Sequence, residues 1–187
     1  MNQKLVFFSN FLKRPKEVAA IASSSNYVIK NIIKNVDFSK AKCIVEYGPG
    51  MGTVTKPLLK NLGHHARLIC FEPNLEFCSF LKKNIKDPRL LVVNDNAERF
   101  GMYLKKFNIK NVDYVFSGIP FSLIKRENKS RIIKNTKSCL RKGGKFIIYQ
   151  QYNSHLKNYL GLHFRKISRT FELRNIPPTF IFICEKT

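Results

Sequence analysis

The stretch from Lys42 to Pro57, K-C-I-V-E-Y-G-P-G-M-G-T-V-T-K-P, sets three glycines at alternate positions, Gly48, Gly50 and Gly52, directly behind a short apolar run, Cys43 to Tyr47. A run this short, bounded by glycine, suits a strand buried on both faces of a parallel sheet. Glycine carries no Cβ, so the chain can turn sharply there and a ligand can touch the main chain. Thr53 stands where it would cap a helix running through Leu58 and Leu59. The resulting order is strand, acid (Glu46), glycine loop, helix, the arrangement in which α/β sheets bind nucleotides.

Two cofactors compete for that order. A dinucleotide fingerprint, G-x-G-x-x-G, needs its third glycine where Thr53 stands, and it has no use for Glu46 on the strand end. S-adenosylmethionine (SAM) carries an amino acid and a ribose instead of a pyrophosphate, so a carboxylate beside the loop is useful to it. The run E-x-G-x-G-x-G resembles motif I of class I SAM-dependent methyltransferases. That resemblance implies SAM at Glu46, Gly48, Gly50 and Gly52.

The 187 residues are expected to form one domain, with an N-terminal helical extension over 1–35 and a SAM-binding core over 36–187. No run of about 20 apolar residues is present, and the N-terminus lacks a signal-peptide pattern, so a cytoplasmic protein is expected. The five cysteines, Cys43, Cys70, Cys78, Cys139 and Cys184, form no C-x-x-C pair and read as reduced thiols. His64, His65 and His163 have no ligand partners at metal spacing, so no metal is expected. The 34 Lys and Arg against 12 Asp and Glu give a formal charge of +22. Such an excess attracts a polyanion, either an anionic membrane surface or nucleic acid.

Before the core, Leu5, Phe7, Phe8, Phe11 and Leu12 alternate with Lys4, Lys13, Arg14 and Lys16. The spacing predicts a basic, aromatic helix that either lies in a membrane interface or packs on its own domain. Pro15 starts a short helix through Ile21, and Ser23 to Asn26 breaks and recaps the chain ahead of a third amphipathic stretch, Tyr27 to Val36. Ala66 to Phe71 reads as the second strand, closed by Glu72 at the distance where nucleotide folds hold ribose hydroxyls. Leu90 to Val93 reads as the third strand. It ends in Asn94-Asp95-Asn96-Ala97, where related methyltransferases often carry Gly-Asp-Ala. That alignment puts Asn96 on their aspartate and leaves Asp95 or Asn96 to accept from the adenine amine.

Val112 to Phe116 is the fourth strand, followed by Ser117-Gly118-Ile119-Pro120-Phe121 on the side where open α/β sheets hold ligands. A helix over Arg126 to Leu140 is expected to end at Gly143-Gly144, and Lys145 to Gln151 is the fifth strand. Phe164 to Leu173 and Thr179 to Cys184 are joined by a connection too short for a crossover, so they pair antiparallel. The expected fold is α/β, a class I methyltransferase Rossmann-like sheet of seven strands, parallel with one antiparallel strand, flanked by helices.

The chain resembles the bacterial phospholipid N-methyltransferases along nearly its whole length. The likeness is carried by Phe11-Leu12-Lys13, Ala22 to Ser25, Glu46 to Gly52, Ser117 to Pro120, Tyr149-Gln150-Gln151-Tyr152 and Asn175-Ile176-Pro177-Pro178. It implies a peripheral membrane enzyme that methylates the amine of phosphatidylethanolamine or a related aminolipid, attached through its N-terminal helix. The second choice is rRNA adenine N6-methylation, whose enzymes share the core. Their fourth-strand motif, N-[IL]-P-[FY], meets Gly118 here, and they usually add a small helical domain beyond the sheet. A binding module without turnover is a third reading. An amine must be neutral to attack, so a proton acceptor is needed. The candidates are Tyr149, Tyr152 and His155, with Tyr152 preferred. Tyrosines there can also cradle an ammonium by cation–π contact, worth about 0.5–2 kcal/mol.

Overall fold

The computed structural model describes residues 24–151 and 156–187. The expected helices before Ser23, and Tyr152 and His155, lie outside the described residues. Seven strands form one sheet: β1 (Cys43–Tyr47), β2 (Arg67–Phe71), β3 (Leu90–Val93), β4 (Val112–Ser117), β5 (Leu140–Gln150), β6 (Lys166–Glu172) and β7 (Thr179–Glu185). Their order is β3-β2-β1-β4-β5-β7-β6. The pairs from β3 through β5 are parallel, while β7 runs antiparallel to both β5 and β6. This is the sheet that the sequence pattern predicts. Strand order reverses at β1, so the carboxyl ends of β1 and β4 flank a crevice.

Alternation along each strand sorts the side chains onto two faces. On one face Ile44, Leu68, Phe116 and Ile147 pack with Val28 and Ile32 of α1 (Asn26–Ile33) and with Leu58 and Leu59 of α2 (Thr55–Asn61). On the other, Val45, Phe71, Val115 and Ile148 meet α4 (Phe100–Lys106), α5 (Arg126–Cys139) and α6 (Leu156–Gly161). The remaining helix, α3 (Leu75–Asn84), closes Cys78 and Leu81 over Val92 of β3. Tyr47 ties the second face together. Its ring meets Phe71, Phe100 and Phe146 edge-on with centroids 5.3–6.3 Å apart, and its hydroxyl shares a 3.1 Å hydrogen bond with Thr136 Oγ1.

Ser25 caps α1 as the serine-rich break predicts, accepting from Val28 N at 3.4 Å. Two local expectations change. Thr53 does not cap α2, which starts at Thr55 behind Val54 with no side-chain cap bond. The glycines at 143–144 do not end a helix. α5 stops at Cys139 and β5 begins at Leu140, passing through Gly143 in the left-handed region (φ +71°) with a register shift against β4 between Val112 and Tyr114. A Cβ on Gly144 would lie 2.9 Å from the carbonyl oxygens of Arg141 and Asp113, so glycine is what lets β5 stay paired through the irregularity.

The amino edge of the sheet is held by one carboxylate. Asp113 Oδ2 accepts from the amides of Lys42 (2.8 Å) and Cys43 (2.9 Å), and Oδ1 accepts from Arg141 Nε at 2.5 Å. It thereby joins the starts of β1, β4 and β5. Asp113→Ala leaves two backbone donors without their acceptor and is expected to cost about 2–4 kcal/mol, measured by urea unfolding.

Candidate active site

The loop after β1 is left-handed at each of its glycines, with φ of +68° at Gly48, +54° at Gly50 and +81° at Gly52. Two of them are also sites of close approach. A Cβ on Gly48 would come within 2.8 Å of the Ile119 side chain, and one on Gly52 within 2.9 Å of Leu81. Gly50 differs, because a Cβ there meets nothing within 4 Å, so its main chain faces open space. The strand ends are tied at this level by Gly48 N to Phe71 O (2.9 Å), Gly118 N to Tyr47 O (3.0 Å) and Glu72 N to Val93 O (3.0 Å).

Glu46 is fully buried beneath this loop. Its Oε2 accepts from Thr55 Oγ1 (2.7 Å) and Cys70 Sγ (3.4 Å), while Oε1 has no hydrogen-bond partner. Burial raises its pKa from an ordinary 4.5 to about 7; interactions with Thr55, Cys70 and Tyr149 act against that rise, and the nearby Glu72 charge adds to it. Glu72 is also buried, with Oε2 on Gly50 N at 3.1 Å and Oε1 on Asn74 N at 3.0 Å. Burial raises its pKa against those two bonds. The two acids therefore stand on neighbouring strands, one below the glycine loop and one braced against it.

At the end of β3 the two candidates for adenine separate. Asp95 is occupied: Oδ2 accepts from Tyr103 Oη at 3.0 Å and faces Arg99 Nη1 at 3.3 Å, and Oδ1 takes Asn96 N at 2.8 Å. Asn96 is exposed and its side chain caps nothing. Ala97 is buried at the head of a short 3-10 helix, Ala97–Arg99. Asn94, which the sequence reading passed over, bridges the strand ends by donating to Glu72 O (3.0 Å) and Pro73 O (3.1 Å).

Across the crevice Ser117 is fully buried with an unpartnered Oγ. Gln150, in the run Tyr149 to Tyr152 that closes β5, is 6% exposed, and neither its amide oxygen nor its nitrogen has a partner. Ser117 pairs with Ile148, so Ser117 and Gln150 share a face of adjacent strands. Tyr149 points to the opposite face, beside Glu46. Its ring and hydroxyl fill the space above Gly118, where a Cβ would lie 3.0 Å from Tyr149 Cε2 and Oη. Burial, then the Glu46 charge, hold its phenol well above 10, so it stays protonated at neutral pH. Among the described residues no cluster of His, Cys, Asp or Glu is built to hold a metal ion, and no helix is long and apolar enough to cross a membrane.

A reversed strand order with a terminal antiparallel strand, an open glycine loop and paired acids on β1 and β2 define a class I SAM-dependent methyltransferase. The N-methyltransferase NodS of Bradyrhizobium japonicum, solved with S-adenosylhomocysteine, shares the fold at TM-score 0.65 and 9% identity over 87% of this chain and 89% of its own. Residues 2–133 match the family described as ribosomal RNA adenine dimethylase, and the chain belongs to that family. Among curated relatives, the ornithine lipid N-methyltransferase of Singulisphaera acidiphila is 24% identical over 185 residues, covering 98% of this chain and 96% of its own. Ribosomal RNA small subunit methyltransferase A of Buchnera aphidicola is 32% identical over 95 residues, covering 51% of this chain and 34% of its own.

Because the folded chain holds the Glu46 proton more tightly than the unfolded chain does, stability falls as pH rises from about 4.5 to about 7 and is level above that window. Glu46→Gln removes the ionisable group. It is expected to stabilise the ligand-free protein by about 1–3 kcal/mol at pH 8 and to change little at pH 4, as measured by denaturant unfolding at both values.

Proposed function

We propose that the chain transfers methyl groups from SAM to the amine of an aminolipid, phosphatidylethanolamine or a related headgroup, at a membrane surface. The observation that carries this is the junction of Gly118 with Tyr149. Ribosomal adenine dimethylases use an asparagine at the aligned position to hold the base's amine. Here that position has no side chain, and the space above it is taken by a tyrosine ring. The relative matched along nearly its whole length, at 96%, acts on a lipid, whereas the rRNA enzyme of Buchnera aphidicola is matched over 34% of its own length.

SAM supplies an electrophilic methyl on a sulfonium sulfur; the protein's work is mainly positioning. In this reading Glu46 Oε1 is aimed at the donor's α-amino cation, which would favour the ionised carboxylate that burial alone disfavours. Glu72 holds the ribose hydroxyls, while the backbone at Gly48, Gly50 and Gly52 lets the donor lie against the main chain. Asn96, free where Asp95 is engaged, accepts from the adenine amine, with Ala97 beneath it. Ser117, at the end of β4, borders the donor near the transferred methyl. Tyr149, protonated, serves through its ring and as a hydrogen-bond donor, so Tyr152 or His155 takes the proton from the incoming ammonium. The basic, aromatic stretch 4–16 contributes the attachment segment, ahead of α1, which packs on the sheet.

RNA methylation is the second reading, favoured by the family match over residues 2–133. Labelled SAM separates the two. Label is expected in vesicles containing phosphatidylethanolamine or ornithine lipid; label in naked rRNA alone would overturn the lipid assignment, and label in neither would leave a binding module. For the cofactor, Asn96→Ala is expected to weaken SAM binding about three- to tenfold in calorimetry, the scale of one hydrogen bond, while Asp95→Asn changes it less.

A further inference from the structure

The turn at 173–178 between β6 and β7 is built to hold apolar side chains in water. Leu173 is 70% exposed and Ile176 is 90% exposed, with Phe171 and Tyr27 about half exposed beside them. The turn is nonetheless pinned. Asn175, at 2% exposure, donates to Pro177 O (2.8 Å) and Thr179 Oγ1 (2.9 Å) and accepts from Ser25 N (2.7 Å). Arg174 is fixed by Glu172 at 2.7 Å and lies 4.1 Å over the Tyr27 ring. Isolated apolar residues on a surface need no explanation. Two on the tip of a turn braced by a buried asparagine present a fixed shape to something outside the chain.

Register says where that tip is. Thr179 pairs with Glu172, and Phe180 pairs with Gln150 at the carboxyl end of β5. The turn therefore projects from the same edge as the glycine loop, Asn96 and Gly118. The bond from Ser25 to Asn175 brings the chain leaving the basic, aromatic stretch 4–16 to this corner too. Lys125 and Arg126, exposed after β4, add cations on that edge. A protruding apolar tip, cations beside it and a net charge of +22 fit a soft anionic surface better than a matched protein groove.

We infer that Leu173 and Ile176 insert into the headgroup region of an anionic lipid bilayer and seat the crevice mouth on it. This rests on the lipid reading above and adds the element that delivers the headgroup. Such a seat lets an amine reach the methyl donor without the lipid leaving its leaflet.

The chain has no tryptophan, so a single one reports its own surroundings. Ile176→Trp is expected to shift its emission to the blue on vesicles of phosphatidylglycerol and phosphatidylcholine and to be quenched by brominated lipid. Leu162→Trp, 75% exposed before β6 at the opposite edge of the sheet, is expected to do neither. Leu173→Ser with Ile176→Ser should lower sedimentation with the same vesicles at least about tenfold, the scale of two apolar side chains kept in water. Methylation of a detergent-dispersed aminolipid should stay unchanged. Because both residues are exposed, an unaltered melting temperature checks the fold. No shift at position 176 on vesicles that do sediment the protein, or no sedimentation at all, overturns the inference. These vesicles hold no aminolipid, so insertion is read apart from turnover; insertion here with no label entering the aminolipid vesicles would remove the proposed substrate and keep the docking surface. Lipid methylation with position 176 unshifted would do the reverse.

Discussion

A carboxylate with one oxygen unpartnered is buried at the end of the central strand. Glu46 has Thr55 and Cys70 on one oxygen, the Tyr149 phenol beside it, and no salt bridge among the described residues. Water would solvate the carboxylate better than the interior does, which is why the proton is held to about pH 7. The left-handed glycines, the strand ends tied at Gly48 and Gly118, and Glu72 braced on Gly50 all lie around Glu46.

The core shared with ribosomal adenine dimethylases constrains the donor far more than the acceptor. In the proposed function the donor contacts lie on β1, β2 and β3, which carry the glycine loop and its acids. The proposed acceptor side begins at β4, where the Tyr149 ring and hydroxyl fill the space above Gly118. Family membership and the proposed substrate are compatible for that reason, since the two halves of the crevice come from different strands.

Much of this was legible in the chain itself. Short apolar runs closed by acid or glycine located the strands, because strands buried on both faces leave no alternation to misread. The antiparallel end followed from the short link at 174–178. What the chain hid were relations between distant residues. Asp95 and Asn96 look interchangeable until Tyr103, two turns of chain further on, takes the first of them. Thr53 and Thr55 both stand near the helix start, and only the depth of Glu46 decides that Thr55 turns inward. Gly143 and Gly144 carry the usual signature of a helix end, but the left-handed φ of the first and the crowding of the second against the Asp113 and Arg141 carbonyls belong to a strand. That the Gln150 amide is buried without a partner depends on what surrounds it in space.

The order in which the strands are made differs from the order in which they pair. β7 is translated last among them yet lies between β5 and β6, bonded to both along nearly its full length. During synthesis β5 and β6 therefore each wait with an open edge until Thr179–Glu185 clears the ribosome, a state in which a nascent sheet is prone to pair with the wrong chain. The last-made of the seven strands thus acts as the keystone, and a ribosome stalled just short of it would leave a partial sheet that chaperones must shelter.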